Sequence, residues 1–541
     1  MKRSNLSDAG PALAAGPSRS EHDNRDGLPT NDRPTMATLC ALGSLALAAT
    51  LTAADPISRP EVTTALKKAA TYFHGRVASH GGYAYYYSLD LAQRWGEGVG
   101  TADQIWVEPP GTPAVGIAYL KAFDATGDRF YLEAARDAGL ALVYGQLQSG
   151  GWTQVIDFDP KGSHVALYRN GRGSGRNHTS LDDNQTQAAL QFLARLDRAL
   201  GFKDAAIHEA ARFALDALLK AQFPVGAFPQ GFTGPVAAHP PKAASYPDPW
   251  PRTWPNDKYW DYYTLNDNVA GNVADALLTA IETYGDASLR AAIARLGDFL
   301  VLAQMPEPQP AWCQQYSYEM QPIWARKFEP PAICSLESED AIRALMKVYR
   351  LTGDKKYLAP IPRALAYLRR SRLPDGRMAR YYELQTNRPL YLLRPPGVSG
   401  SSKDKRGYEL TYDDTNLPPH YGWKQDTAVE ELEKELARLE TSGPGGAVVT
   451  PRFTDNGKLI SVLPGGELRS LIGSRAELEA RVRAIVRDLD EQGRWVTTYG
   501  GDRGGHDLIG QPKFAAGFRF LGTHVFNRNV EILSDYLAAT R

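Results

Sequence analysis

Two short acidic runs carry the residue types that bind hard cations. Leu181-Asp182-Asp183-Asn184-Gln185-Thr186 lies just before one helical pattern, and Tyr262-Tyr263-Thr264-Leu265-Asn266-Asp267-Asn268 lies just before another. Both read as an apolar residue, then acid and amide, then helix. Helix capping explains part of this, because Asp and Asn are preferred N-caps, and Asp204, Asp267 and Asp354 sit where N-caps are expected. One cap needs one side chain, however, and here four or five oxygens stand at equivalent points of neighbouring repeats. Asp182, Asp183 and Asp267 are therefore candidate ligands for calcium, which takes about six to eight oxygens.

A basic run supplies the complementary chemistry. Arg377, Arg380, Arg388 and Arg394 alternate with Tyr381, Tyr382 and Tyr391, and Arg326 and Lys327 stand at the same end of the preceding repeat. Spacing alone fits a solvated loop with snorkelling arginines equally well. Arginine also captures carboxylates in bidentate fashion, and tyrosine rings can stack on sugars. Calcium, arginine and aromatic rings together are what an enzyme for an acidic polysaccharide needs.

The elements that must position these groups repeat. A helix ending in a polar turn and then a bulky residue occurs six times. The copies are His80-Gly81-Gly82-Tyr83, Ser149-Gly150-Gly151-Trp152, Val225-Gly226-Ala227-Phe228, Gln309-Pro310-Ala311-Trp312, Asp375-Gly376-Arg377-Met378 and Gln492-Gly493-Arg494-Trp495. Repetition on this scale means stacked helix pairs with the turns gathered at one end, where a polymer could be read. Apolar periodicity predicts helices over 61–76, 113–125, 129–147, 184–200, 205–222, 268–284, 287–304, 340–351 and 356–370. Two Thr-Gly-Asp turns, at 126–128 and 352–354, join hairpins and are followed by Tyr131-Leu132 and Tyr357-Leu358. The long aromatic and Pro-rich loops 235–264 and 305–336 are of the kind that carries function. The longest interval, between the fifth and sixth copies, holds a stretch at about 395–475 with a charged helix over 427–440. We expect that insertion at the periphery or as a lid.

Composition sets outer limits. The chain has 541 residues, 43% hydrophobic, with zero formal net charge. That is ample for one large domain, over 55–541, and nothing in it suggests nucleic acid or a membrane as bulk partner. Residues 1–54 read as a signal peptide with a long polar leading segment, because 37–49 is apolar and Ala53-Ala54 precede Asp55-Pro56. The apolar run is shorter than the ~20 residues a spanning helix needs. Export to the periplasm or the medium is expected, and the protein is expected to be a monomer. Cys313 and Cys334 bracket one loop, and a disulfide between them is open.

The run Leu302-Ala303-Gln304-Met305-Pro306-Glu307-Pro308-Gln309-Pro310-Ala311-Trp312-Cys313-Gln314-Gln315-Tyr316 resembles the pectate lyases of polysaccharide lyase family 10. So does its continuation Pro322-Ile323-Trp324-Ala325-Arg326-Lys327-Phe328-Glu329-Pro330-Pro331, with Glu337-Ser338 beyond. Gly150-Gly151-Trp152-Thr153-Gln154, the two acidic motifs, and Arg380-Tyr381-Tyr382-Glu383 through Arg388-Pro389 fall in that family's order, over roughly 140–425. The resemblance implies an α/α toroid, all-α with long loops and a small inserted segment. It implies calcium on Asp182 (or Asp183) and Asp267, and an arginine base that falls on Arg394. Arg326, Lys327, Arg380, Arg388, Tyr381 and Trp312 fall to substrate binding. The surroundings of the base depart from the family's Asp-Arg-Asp-Gly-like run, because this chain reads Leu393-Arg394-Pro395-Pro396-Gly397.

The implied reaction is β-elimination on polygalacturonate, an acidic polysaccharide. It removes the C5 proton beside the C6 carboxylate and expels the C4 oxygen. Calcium and arginine on that carboxylate make the proton more acidic. An arginine base further implies an alkaline optimum. Two other readings stay open: a glycoside hydrolase on a helix toroid recruiting Asp182, Asp267 and Glu329, and an inactive uronan-binding protein.

Overall fold

The computed structural model describes residues 57–399, 404–419, 421–444, 452–453, 459–463, 467–472, 475–500 and 514–540. The leader expected over 1–54 lies outside the described residues. Within them the chain forms α1 (Arg59–Tyr72), α2 (Thr112–Thr126), α3 (Arg129–Gly145), α4 (Gln185–Ala199), α5 (Ala205–Lys220) and α6 (Val269–Tyr284). There follow α7 (Ala287–Ala303), α8 (Ser335–Thr352), α9 (Ile361–Arg370), α10 (Val429–Ser442), α11 (Arg475–Arg487) and α12 (Thr523–Ala539). The architecture is an α/α toroid. Its inner helices run α12, α2, α4, α6, α8 and α10, each against the next in that order. The outer helices back them: α1 rests on α12 and α11, α3 on α2 and α5, and α7 on α6 and α8.

Each hairpin is built by the same local devices. In both Thr-Gly-Asp turns the glycine takes a left-handed conformation, Gly127 at φ 72° and Gly353 at 73°, and closes the preceding helix. Asp128 and Asp354 then accept from Phe130 N and Lys356 N to open the next element. At the far end of the hairpin a glutamine sews the exit. The side-chain amide of Gln146 donates to Gly150 O and Ala210 O, that of Gln222 to Gly226 O and Ala292 O, and that of Gln304 to Pro310 O and Pro360 O. Each glutamine thus ties its own turn to the next outer helix.

The bulky residue of the repeated phrase completes the joint. The indoles of Trp152, Trp312 and Trp495 donate at 2.8 Å to Leu142 O, Leu300 O and Ile485 O, in the helix just left. A hydroxyl on the following inner helix receives the same residue: Thr112 for Tyr83, Thr186 for Trp152 and Ser338 for Trp312, each from the backbone N–H at 3.0 Å. These buried donors are satisfied within the joint. Short antiparallel ladders then link successive exits, such as Thr179↔Phe232, Tyr263↔Tyr316 and Ile333↔Tyr382. The result is a collar around one end of the toroid, and the inner helices start there.

Three differences from the sequence reading are physical. The amphipathic α11 and α12 were not predicted, although α12 packs closely on α2 and supplies the neighbour that α2 would otherwise lack. The segment expected at the periphery contributes α10, which packs on α8 and α9, so part of it belongs to the toroid wall. Cys313 and Cys334 are buried free thiols; backbone pairing places Cys313 opposite Ile333, and no disulfide joins the two cysteines. Among the described residues no helix is long and apolar enough to cross a membrane.

Candidate active site

The two acidic motifs fold as twins. Each is a single 3-10 turn, Asp182–Asn184 and Asn266–Asn268, set against the other and leading directly into α4 and α6. In both turns the second and third residues adopt left-handed backbone angles: Asp183 and Asn184 at φ 44° and 61°, Asp267 and Asn268 at 52° and 57°. Non-glycine residues held there are strained, a feature that clusters at functional sites. The N-cap expected of Asp267 is not what forms. Asn184 and Asn268 occupy the cap positions without a side-chain capping bond, and the aspartate carboxylates are released to face one another.

Oxygen atoms of Asp182, Asp183 and Asp267 lie within 4.8 Å of one another. Three carboxylates so close repel unless a proton or cation stands among them. Burial, with Asp267 alongside, pushes Asp183 up to about 7. Burial and the nearness of Asp182 also raise Asp267 well above the usual range, against the pull of Arg326. The set is all hard oxygen, and the buried Oδ1 of neighbouring Asn184 has no hydrogen-bond partner, so these residues fit calcium. Gln230 steadies the group by donating to Asp182 Oδ1 at 2.7 Å.

Arg326 is the cation already present. Its Nη2 donates to Asp267 Oδ2 at 2.8 Å, and its Nε donates to Glu329 Oε1 at 2.7 Å. Burial opposes its charge, but Glu329, Asp267 and Asp182 hold it protonated. Burial likewise works against the Glu329 carboxylate, yet Arg326 keeps it below the ordinary range. Tyr421 donates to Glu329 Oε1 at 3.0 Å. The Nη1 atom of Arg326 makes no hydrogen bond among the described residues.

The other expected contacts divide. Arg380 is buried, spans 4.2 Å to the face of Tyr421 and reaches Glu337 at 3.5 Å, so it underlies the site. Tyr381 is fully buried and donates to Gln314 at 2.8 Å; it supports the wall and has no surface to offer a sugar. Trp312 is corrected in the same way, being wholly buried in the joint described above. The ammonium of Lys327 donates to Ser399 O and Asp404 O at 2.7 and 3.0 Å, which commits it to holding a loop. Arg388 is exposed and lies 3.4 Å over the Tyr412 ring. Arg394 is exposed and neighbours the Tyr408 hydroxyl, whose ring packs on Phe328 at 5.8 Å. It is Arg326, and not Arg394, that touches the aspartates.

Sequence reasoning passed over several residues that the collar brings in. Glu108 stands just before α2, where the acidic motifs stand before α4 and α6, but with prolines following it in place of amides. Glu97 comes from the tip of a hairpin between Arg94–Trp95 and Val99–Gly100. Its oxygen, with those of Glu108 and Asp183, forms a second group within 4.8 Å. Burial, then Asp183 and Glu97, push Glu108 up to about 8. Tyr259 has Arg326, Glu329, Asp182 and Asp267 as electrostatic neighbours, and burial pushes its phenol up to about 12. Only the position of Glu108 ahead of a helix in an equivalent repeat could have been found in the sequence.

No curated protein matches the chain. Among solved structures, a mutant family 10 polysaccharide lyase from Cellvibrio cellulosa, in complex with trigalacturonic acid, aligns at 19% identity. The alignment covers 61% of this chain and 98% of that one, with a TM-score of 0.42. The cellobiose 2-epimerase of Bacillus thermoamylovorans aligns at 12% identity over 88% of this chain and 98% of its own, also with a TM-score of 0.42. A GH76 alpha-mannanase from Bacteroides thetaiotaomicron aligns at 10% identity over 88% and 96%, with a TM-score of 0.39. Likeness at these levels carries no argument about chemistry. Residues 146–348 match the model of the pectic acid lyase family, and this stretch contains both acidic turns and Arg326 with Glu329. Over residues 146–348, then, this chain is similar to the pectic acid lyase family.

Proposed function

We propose that this polysaccharide lyase cleaves polygalacturonate by β-elimination, with calcium on Asp182, Asp183 and Asp267 and with Arg326 as the base. The observation that supports it is the position of Arg326. Its guanidinium joins the aspartate cluster to Glu329, and Nη1 makes no hydrogen bond among the described residues. Calcium, when bound, neutralises the uronate carboxylate and stabilises the charge that develops next to C5.

The protein's own groups do the rest. Asp267 and Glu329 orient the guanidinium, and Tyr421 fixes Glu329 from the other side. Asp267 and Glu329 favour the charged guanidinium, so Arg326 gives up a proton to solvent only under alkaline conditions. The neutral Nη1 then takes the C5 proton, the C5–H electrons form the C4–C5 double bond, the C4–O bond breaks, and the departing oxygen takes a proton from water. Arg380 beneath Tyr421 adds positive charge to the floor. Arg388 and Arg394, both exposed near tyrosines, suit uronate residues farther along the chain.

Incubation with polygalacturonate, with and without a calcium chelator, tests this reading. The expected result is a product absorbing in the ultraviolet, lost on chelation and restored by calcium. Reducing ends without that absorbance would mean hydrolysis, and binding without turnover would mean an inactive uronan-binding protein; either result overturns the proposal.

A further inference from the structure

Glu97 and Glu108 lie outside the segment that matches the family model, yet they complete a second oxygen cluster around Asp183. Their placement is built. The hairpin that carries Glu97 rests on the Trp106 ring, and side-chain carbons at Gly96 and Gly100 would stand 1.9 and 2.7 Å from that ring. Only glycine on both arms allows the hairpin to lie so close. Glu108 is buried, and its Oε2 takes the amide of Gln154 at 3.1 Å, while the same amide reaches Glu97 Oε2 at 2.5 Å. Among the described residues none of these three carboxylates forms an ion pair.

A second kind of observation points to what is held there. Gln185, 5% exposed, sets its amide nitrogen 3.5 Å from Glu108 Oε2, and its carbonyl oxygen has no hydrogen-bond partner. Tyr85, wholly buried, turns its hydroxyl toward Glu108, with Glu97 and Asp183 also among its electrostatic neighbours. A buried acceptor left unmatched beside three acids is costly, and a donor cannot satisfy all of them at once. A hard cation can.

We propose that Glu97, Glu108, Asp183 and the carbonyl of Gln185 bind a second divalent cation of the calcium class. Asp183 has an oxygen for each ion, so this site rests on the first reading only through that shared residue. Glu97 is exposed, so one side of the cation faces solvent, where water or a polymer carboxylate completes its shell. Glutamate from the hairpin thereby extends a one-ion site toward the N-terminal side of the collar.

Calorimetric titration of the calcium-free full chain with calcium chloride tests both sites separately. Wild type is expected to bind two ions, the double variant Glu97→Gln with Glu108→Gln one, and Asp267→Asn one. If wild type binds a single ion that Asp267→Asn removes and the double variant keeps, the second site is overturned and the first reading stands. If the single ion is lost from the double variant and kept by Asp267→Asn, the first reading fails and this one holds. No binding in wild type overturns both. Because Glu108 is buried, circular dichroism accompanies each variant. Should the double variant not fold, exposed Glu97→Gln alone is expected to weaken one ion about tenfold and leave the other unchanged, and an unaltered isotherm overturns the site.

Discussion

Arg326 and Asp267 stand 2.8 Å apart, and Glu329 grips the same guanidinium from the other side. This triad makes Arg326 the arginine whose loss should stop the reaction. General-base deletions cost on the order of 10² to 10⁴ in rate. Arg326→Lys keeps charge and loses the fork that fits two carboxylates. We expect kcat on polygalacturonate to fall by about that range with KM little changed, whereas Arg394→Ala chiefly raises KM. Steady-state assays of both variants decide between the two arginines; a kcat collapse confined to Arg394→Ala would restore the base to Arg394.

Protons and calcium compete for the cluster. Burial and neighbouring acids raise Asp183 to about 7 and Glu108 to about 8, so without metal both hold protons through much of the neutral range. Metal ligands must be deprotonated. Calcium affinity should therefore rise with pH between about 6 and 9, and binding at pH 7 should release protons. Titrations in buffers of different ionisation enthalpy measure that release; an affinity flat across this window would show that the carboxylates titrate lower.

How much of this could be read from the chain depended on distance. Ten helices were legible, nine because a 3.6-residue apolar period is a local property and α10 from its charged run over 427–440. Asp182, Asp183 and Asp267 were legible because one layout occurs twice. What the motifs did not reveal was the direction of each side chain. Trp312 lies within the segment that matches the family model and Tyr381 beyond it, yet both are buried supports. Asp267 was expected to cap a helix, and a left-handed backbone at φ 52° turns it to its neighbours instead. Glu97 and Glu108 reach Asp183, and Tyr421 reaches Glu329 from 92 residues away, across long stretches of chain. No period or spacing encodes that convergence.

The repeated turn glycines separate conformation from packing. Gly226 has φ 104°, and an added side-chain carbon would lie 1.8 Å from Arg295 O. Gly285 has φ 67° with nothing within 4 Å. Backbone handedness alone costs about 1–2 kcal/mol, and overpacking adds about 1–3. Gly226→Ala should thus destabilise by at least about twice as much as Gly285→Ala, measured by denaturant midpoints. Equal losses would mean that the turn yields and that the joint between α5 and α7 is soft.

Tyr421 links the buried floor to the triad. Its hydroxyl donates to Glu329 at 3.0 Å and lies 3.0 Å from the Tyr381 hydroxyl, while its ring lies 4.2 Å from the Arg380 guanidinium and 4.9 Å from Phe328. Tyr421→Phe removes only the oxygen. The ring still covers Arg380, so the stability cost should be that of the hydroxyl's hydrogen bonds to Glu329 and Tyr381, about 1–3 kcal/mol. Glu329 would then be held by Arg326 with one contact fewer, and the guanidinium would gain freedom in the direction that matters for proton transfer. We expect kcat to fall about tenfold in Tyr421→Phe with KM nearly constant. Tyr421→Ala, which also uncovers Arg380, should lose stability as well as activity. A Phe variant with unaltered kcat would show that Glu329 needs no support from the floor to orient Arg326.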